Sequence, residues 1–101
     1  QQLEAHGEVI ITTETLAHFN GEVSGRPLIL CVLGSCFDVT PGWDFYKPGE
    51  EYNCFVGKDA SRAFVTGEFT KKGCIDDISD FDPGQLKDVE HWLNFYYDKD
   101  S

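Results

Sequence analysis

The chain has 101 residues, enough for one domain (1–101) and too few for a second independent module. A hydrophobic content of 41%, with 14% aromatic residues, excludes a globally disordered chain, and eight basic against eighteen acidic residues (net charge −10) argue against DNA, RNA or an anionic membrane surface as partner. No run approaches the roughly 18 apolar residues that span a bilayer and no signal-peptide pattern opens the chain; Gln1 is not an initiator residue, so a processed or excised chain is expected.

Residues 1–8 are polar and expected to pair loosely, and Val9-Ile10-Ile11 reads as a short strand. Thr12 is a helix N-cap with Glu14 in the first turn; Leu16 and Phe19 share a face, and Asn20-Gly21 closes the helix. Gly25-Arg26-Pro27 turns into Leu28–Leu33, a strand apolar on both faces. Gly34-Ser35 is the expected reversal into a return strand, Cys36–Val39, which Pro41-Gly42 ends. Trp43 to Phe55 reads as irregular, with one helical turn around Trp43–Tyr46. A helix is expected over Asp59–Val65, with Ala60, Ala63 and Phe64 inward and Gly67 as its stop, followed by a polar loop over 68–80. Asp82-Pro83 opens the last helix, where Leu86, Val89, Leu93 and Tyr96 keep a helical period with Trp92 and Phe95 beside the stripe. Hairpin strands with separate helices make the class α+β.

Little of the usual chemistry is present. His6, His18 and His91 are dispersed, without metal-ligand spacing. The run from Asp76 to Gly84 superficially resembles a calcium loop but has its glycine out of register and His91 where the closing glutamate belongs. No nucleophile elbow or phosphate-binding loop occurs. Cys31, Cys36, Cys54 and Cys74 allow three pairings; Cys31 and Cys36 share one hairpin-like run, either adjacent in space or as small buried hydrophobes. Asp59 and Arg62 are expected to tie helix start and loop together, and Trp43 and Trp92 to be core. The acidic stretch from Asp76 onward reads as a solvated face or, alternatively, a docking surface for a protein partner. That leaves Tyr46 and Tyr52, six residues apart in a Gly/Pro-rich turn. A phenol oxygen there can hydrogen-bond a ligand or bind ferric iron; the alternative is ring packing at a rim.

Several runs carry a resemblance across most of the chain: Thr12 to Gly21, Leu33 to Thr40, Asp44 to Gly49 and Tyr52 to Ala63, the most specific being Gly57-Lys58-Asp59-Ala60-Ser61-Arg62-Ala63. Together they resemble the cytochrome b5-like haem/steroid-binding domain of the membrane-associated progesterone receptor family. Ala63 to Gly67, Asp76 to Asp80 and His91 to Tyr96 are most similar to its neuferricin branch.

The resemblance implies a small mixed sheet with helices forming a ligand cleft. Where cytochrome b5 proteins carry His-Pro-Gly-Gly, this chain reads Lys47-Pro48-Gly49-Glu50, so two-imidazole ligation is not available from that motif. By motif position, the resemblance implies haem b with Tyr52 as the iron ligand, Tyr46 facing the haem and Lys99 meeting a propionate; the tyrosine the family places after that lysine is Asp100 here. It implies a non-catalytic haem domain, suited to extracellular signalling or haem carriage, with a steroid or other flat apolar ligand as a variant occupant of the same cleft. A protein-interaction module of the same fold without haem is the alternative. The even cysteine count and acidic charge favour a secreted or endomembrane-lumenal location, or a membrane-anchored parent whose anchor has been removed.

Overall fold

The computed structural model describes residues 12–100, excepting the side chains of 99 and 100. The expected strand at Val9-Ile10-Ile11, the polar start, His6 and the Lys99 side chain lie outside the described residues.

Thr12 does cap the first helix: its side-chain oxygen accepts the Thr15 N–H at 3.1 Å. That helix, α1, is a single turn, Thr13–Leu16, and not the longer segment expected up to Asn20-Gly21. Leu16 is buried and Phe19 packs beside it against the hairpin. The hairpin consists of β1 (Ile29–Val32) and β2 (Ser35–Asp38), antiparallel, with Cys31 opposite Cys36. All four residues of β1 are buried, because it is the middle of the layer. On its other side single bridges join Leu30 to Val56 (antiparallel) and Cys31 to Asp59 (parallel), so the parallel part of the sheet is one bridge.

The chain reverses at Leu33-Gly34, one residue before the expected position, with both residues at positive φ (51° and 84°). That pair of left-handed residues matches the twist of a two-residue hairpin, but leucine there is strained. The Gly57–Ala63 run holds the turn in place. Leu33 N–H donates to Ser61 Oγ at 2.8 Å and Gly34 N–H to Asp59 Oδ2 at 2.8 Å. Ser61, 1% exposed, is the buried polar residue that closes this clip. The same capping of backbone by Asp59 explains why the next helix starts late: Ser61 N–H bonds to Asp59 Oδ1, a turn that competes with helix. The expected helix over Asp59–Val65 is therefore α3, Ala63–Thr66, and it ends at Gly67 as expected. Ala60 and Ala63 are fully buried, where a larger side chain would have no room.

After β2 a 3-10 turn, Thr40–Gly42, leads into α2, Trp43–Tyr46, and a second 3-10 helix, Glu51–Phe55. The last helix, α4 (Pro83–Asp100), starts with a reciprocal cap in which Asp82 Oδ1 accepts the Gln85 N–H at 2.8 Å and Gln85 Oε1 accepts the Asp82 N–H at 3.0 Å. Val89 and Tyr96 are its buried residues, packed with Phe37, Leu30 and Val32 in the main core. Leu86, expected in the same stripe, is 39% exposed: it lies in the first turn of α4, ahead of the core contact that begins at Val89.

Candidate functional site

A cleft of about 620 Å³ opens between α2, the Glu51–Phe55 turn, α3 and α4. Its position follows from local sequence. Lys47, before proline, is extended (φ −63°, ψ 160°), which stops α2 at Tyr46. Pro48-Gly49 then turns the chain back, so Tyr46 and Tyr52 face the same space with ring centroids 6.2 Å apart, tilted by 43°. Asn53 locks this arrangement: its Nδ2 donates to the Tyr46 carbonyl at 2.8 Å and the Asn20 carbonyl at 3.0 Å. One side chain thus fixes the spacing of the two tyrosines and joins their loop to the segment after α1.

The walls are aromatic. Phe55 stacks on Phe64 at 4.5 Å, Phe64 meets Trp92 at 5.6 Å, and Phe69 meets Tyr52 edge-on at 5.7 Å. Phe45, 65% exposed, Tyr52, 39% exposed, and Phe95 line the opening. A rim with this much exposed aromatic surface leaves apolar area for a ligand to cover.

Polar groups in the cleft are few and phenolic. The Tyr46 and Tyr96 hydroxyls are 3.0 Å apart. Burial pushes the Tyr46 phenol above its ordinary value, partly opposed by its hydrogen bond with Tyr96. Burial raises Tyr96 further, and the neighbouring Tyr46 adds to it. Among the described residues the Tyr52 hydroxyl makes no hydrogen bond, so its oxygen is open to a ligand. His18 and His91 are both exposed and neither lines the cleft. No group of three His, Cys, Asp or Glu side chains among the described residues could hold a metal ion.

These residues fit a flat aromatic macrocycle with a hard metal. The volume lies within the roughly 300–1,000 Å³ of cofactor sites, and an open phenol oxygen is the kind of donor that ferric iron takes. Of the expected contacts, Tyr46 and Tyr52 meet in one cleft; the side chain of Lys99, near the end of α4, lies outside the described residues.

Other expectations shift. Trp43 is 42% exposed and not core, because single-turn α2 presents it outward; Trp92 packs against the core and also lines the cleft. Arg62 does tie a helix start to a loop, through a two-pronged pair with Asp80 (2.6 and 3.1 Å) and stacking over Phe81. Asp59 instead serves the hairpin turn. Phe45, Phe55 and Phe69 line the cleft without having been singled out from sequence, nor was Asn53, which holds the tyrosine loop from outside it; Tyr96 was read only as part of a helical stripe.

The sequence profile described as cytochrome b5-like haem/steroid-binding domain matches residues 12–87. Neuferricin of Danio rerio is 46% identical over 88 residues, covering 87% of this chain and 33% of the relative. Membrane-associated progesterone-binding protein 4 of Arabidopsis thaliana is 42% identical over 87 residues, covering 86% of this chain and 36% of the relative. The chain thus spans about a third of the length of the curated relatives it matches. Among solved structures, an Arabidopsis thaliana protein with a cytochrome b5-like fold superposes with a TM-score of 0.79 at 27% identity, covering 98% of this chain and 91% of the other. The solution structure of an Arabidopsis protein provisionally described as steroid-binding gives 0.80 at 29% identity, covering 92% and 91%.

Proposed function

Because this chain belongs to the cytochrome b5-like haem/steroid-binding domain family, we propose that its aromatic cleft binds ferric haem b through the Tyr52 oxygen. The observation that carries this is the convergence of three phenols, Tyr46, Tyr52 and Tyr96, in one apolar cleft that neither described histidine lines. Bound haem would supply a ferric centre that a phenolate, a hard anionic donor, stabilises over the ferrous state.

The chain's own residues divide the work. Tyr52 offers the ligating oxygen from the rim. Tyr46 stands beside it as a hydrogen-bond donor. Phe45 and Phe95, which line the mouth, would shield the ring faces of a bound macrocycle from water. One protein ligand on the metal suits haem carriage or extracellular signalling of the neuferricin type better than fast electron transfer. The cross-strand Cys31–Cys36 bridge supports a secretory or lumenal location, where disulfides persist. A steroid in the same cleft is the second occupant to test, favoured by the names of the Arabidopsis relatives and by the apolar walls.

Titrating ferric haem into the purified protein tests the proposal. A Soret band that saturates at one haem per chain and is lost in Tyr52→Phe supports it. No band from folded protein, or an unchanged one in Tyr52→Phe, refutes it, and displacement by a steroid would assign the cleft to the second occupant.

A further inference from the structure

Tyr52 and Phe55 face the aromatic cleft, whereas Glu51, Asn53 and Cys54 of the same turn line a second cavity, of about 550 Å³. Phe69 borders both cavities, and Thr70 and Lys71 after it line the second. The segment from Glu68 to Cys74 folds tightly on itself. The Cys74 N–H donates to the Thr70 carbonyl at 2.7 Å, and a Cβ on Gly73 would collide with the Glu68 carbonyl oxygen. The turn therefore puts Cys74 in one place. Its side chain, 2% exposed, belongs to the main core, against which the half-buried Cys54 packs. The Cys74 sulfur lies 3.9 Å from the Glu68 carbonyl and has the Cys54 thiol as its side-chain partner. Phe55 and Phe69, next along the two segments, meet edge-on at 5.1 Å and clamp them together. Two free thiols thus meet at this junction, one reached from a cavity and the other sealed behind it.

We propose that Cys54 and Cys74 form a thiol–disulfide exchange site whose ligand is a small zwitterionic disulfide of the glutathione type. Exchange needs one sulfur open to approach and a second beside it to complete the reaction, and this pair supplies both. The cavity walls carry Lys58 and Lys71 as well as Glu22, Glu50 and Glu51, charges of both signs for the carboxylates and ammonium groups of such a peptide. The Cys54 sulfur gives its proton to solvent and attacks one sulfur of the disulfide; the other half leaves as a thiolate and takes up a proton. The Cys74 sulfur, losing its own proton, then attacks the Cys54 sulfur, and the second half leaves in the same way. The two protein thiols lose two electrons and two protons, and the small disulfide is reduced to two thiols. The new bond joins the turn that carries Tyr52 and Phe55 to the loop that carries Phe69, so it ties together one wall of the aromatic cleft. It forms whether or not that cleft is occupied.

Mass spectrometry and peptide mapping test this on reduced, folded protein placed in buffers of rising glutathione disulfide to glutathione ratio. The chain has no methionine, so its four cysteines are the only sulfurs that can change. Wild-type protein should gain a Cys54–Cys74 disulfide beside Cys31–Cys36 and retain no glutathione. Thiols at 54 and 74 that stay free at every ratio, or a glutathione adduct that persists on Cys54, overturn the proposal. Cys74→Ala should stop at the adduct on Cys54. Cys54→Ser should take up no glutathione at Cys74, which is buried; an adduct there in folded protein overturns the assignment of Cys54 as the attacking thiol. Should Cys74→Ala fail to fold, the wild-type map decides alone. The new bond closes a loop of about 20 residues, so linked wild type should melt about 10 °C or more above Cys54→Ser, which keeps only Cys31–Cys36. An equal melting temperature would mean that the bond does not join the two segments where the fold holds them, and overturns the proposal. All of these readouts are taken without haem, so they stand or fall apart from the haem proposal.

Discussion

Asn53 is where fold and site meet, and its removal has a calculable cost. Its Nδ2 donates to two backbone carbonyls, those of Tyr46 and Asn20, in a half-buried position. Each bond contributes about 0.5–1.5 kcal/mol net, so Asn53→Ala should destabilise the domain by about 1–3 kcal/mol. Asn53→Asp should be worse at neutral pH. It keeps the shape of the side chain but replaces the donor by a carboxylate aimed at two carbonyl oxygens, adding about 1–3 kcal/mol for an unsatisfied polar group. The sign of its pH dependence follows: repulsion raises the pKa of the new carboxyl above its unfolded value, so the lost stability is partly recovered on acidification, when the protonated carboxyl donates again. Urea unfolding at pH 7 and pH 5 measures all three proteins, with unchanged m-values showing that the folded and unfolded states are comparable. At about 4–8 °C per kcal/mol for a chain of this size, the melting temperature of Asn53→Ala should fall by roughly 10 °C. Asn53→Ala within about 0.5 kcal/mol of wild type, or Asn53→Asp more stable than Asn53→Ala at pH 7, would refute the role given to this side chain.

The other predictions concern parts of the frame that hold the cleft. Gly57→Ala should cost about 3 kcal/mol, from a left-handed backbone (φ 81°) and a new Cβ placed 2.8 Å from Asn20 Cβ; a urea midpoint equal to wild type contradicts this. Burial, and then the neighbouring Cys54 sulfur, push the Cys74 thiol from 9.0 up to about 12. Its proton is bound more tightly in the folded state, so this contribution is complete below pH 9 and lost as pH rises toward about 12. Raised Tyr46 and Tyr96 act in the same direction, and urea unfolding across this alkaline window should show falling stability; a flat or rising profile contradicts it. Reducing Cys31–Cys36 should cost no more than about 2 kcal/mol, the chain-entropy value for so short a loop, because Ser61 and Asp59 clip the same turn independently. Unfolding on reduction at room temperature would show that the clip does not suffice.

Elements whose signals are local were legible in the sequence. Thr12 and Asp82-Pro83 announce helix starts through side-chain caps, and the Leu28–Leu33 run with Gly34 announces a hairpin. What escaped were features set by distant partners. The hairpin turn slips to Leu33-Gly34 because Ser61 and Asp59, 28 and 25 residues away, hold it there. The same two side chains delay α3, against the helical pattern of Ala60, Ala63 and Phe64. For the cleft, Tyr46 and Tyr52 stood out by their spacing in a turn. Phe69 lies in a stretch that reads as polar loop, and no local pattern says that it will face Tyr52. Tyr96 is ambiguous in sequence, since a helical stripe places a ring in the core but not the direction of its hydroxyl. The Gly57–Ala63 run, which carries the resemblance most specifically, proves to hold the turn, α3 and the loop of Asp80 together without touching the cleft except through Ala63.

Titration of ferric haem into wild-type and Tyr52→Phe protein, followed by absorbance, tests the central claim most directly. Because Tyr52 is a rim residue whose hydroxyl makes no hydrogen bond among the described residues, the variant should unfold within about 0.5 kcal/mol of wild type. The account predicts a saturable Soret band in wild type and its loss in the equally stable variant. Retention of the same band in Tyr52→Phe, or its absence from folded wild-type protein, would contradict it.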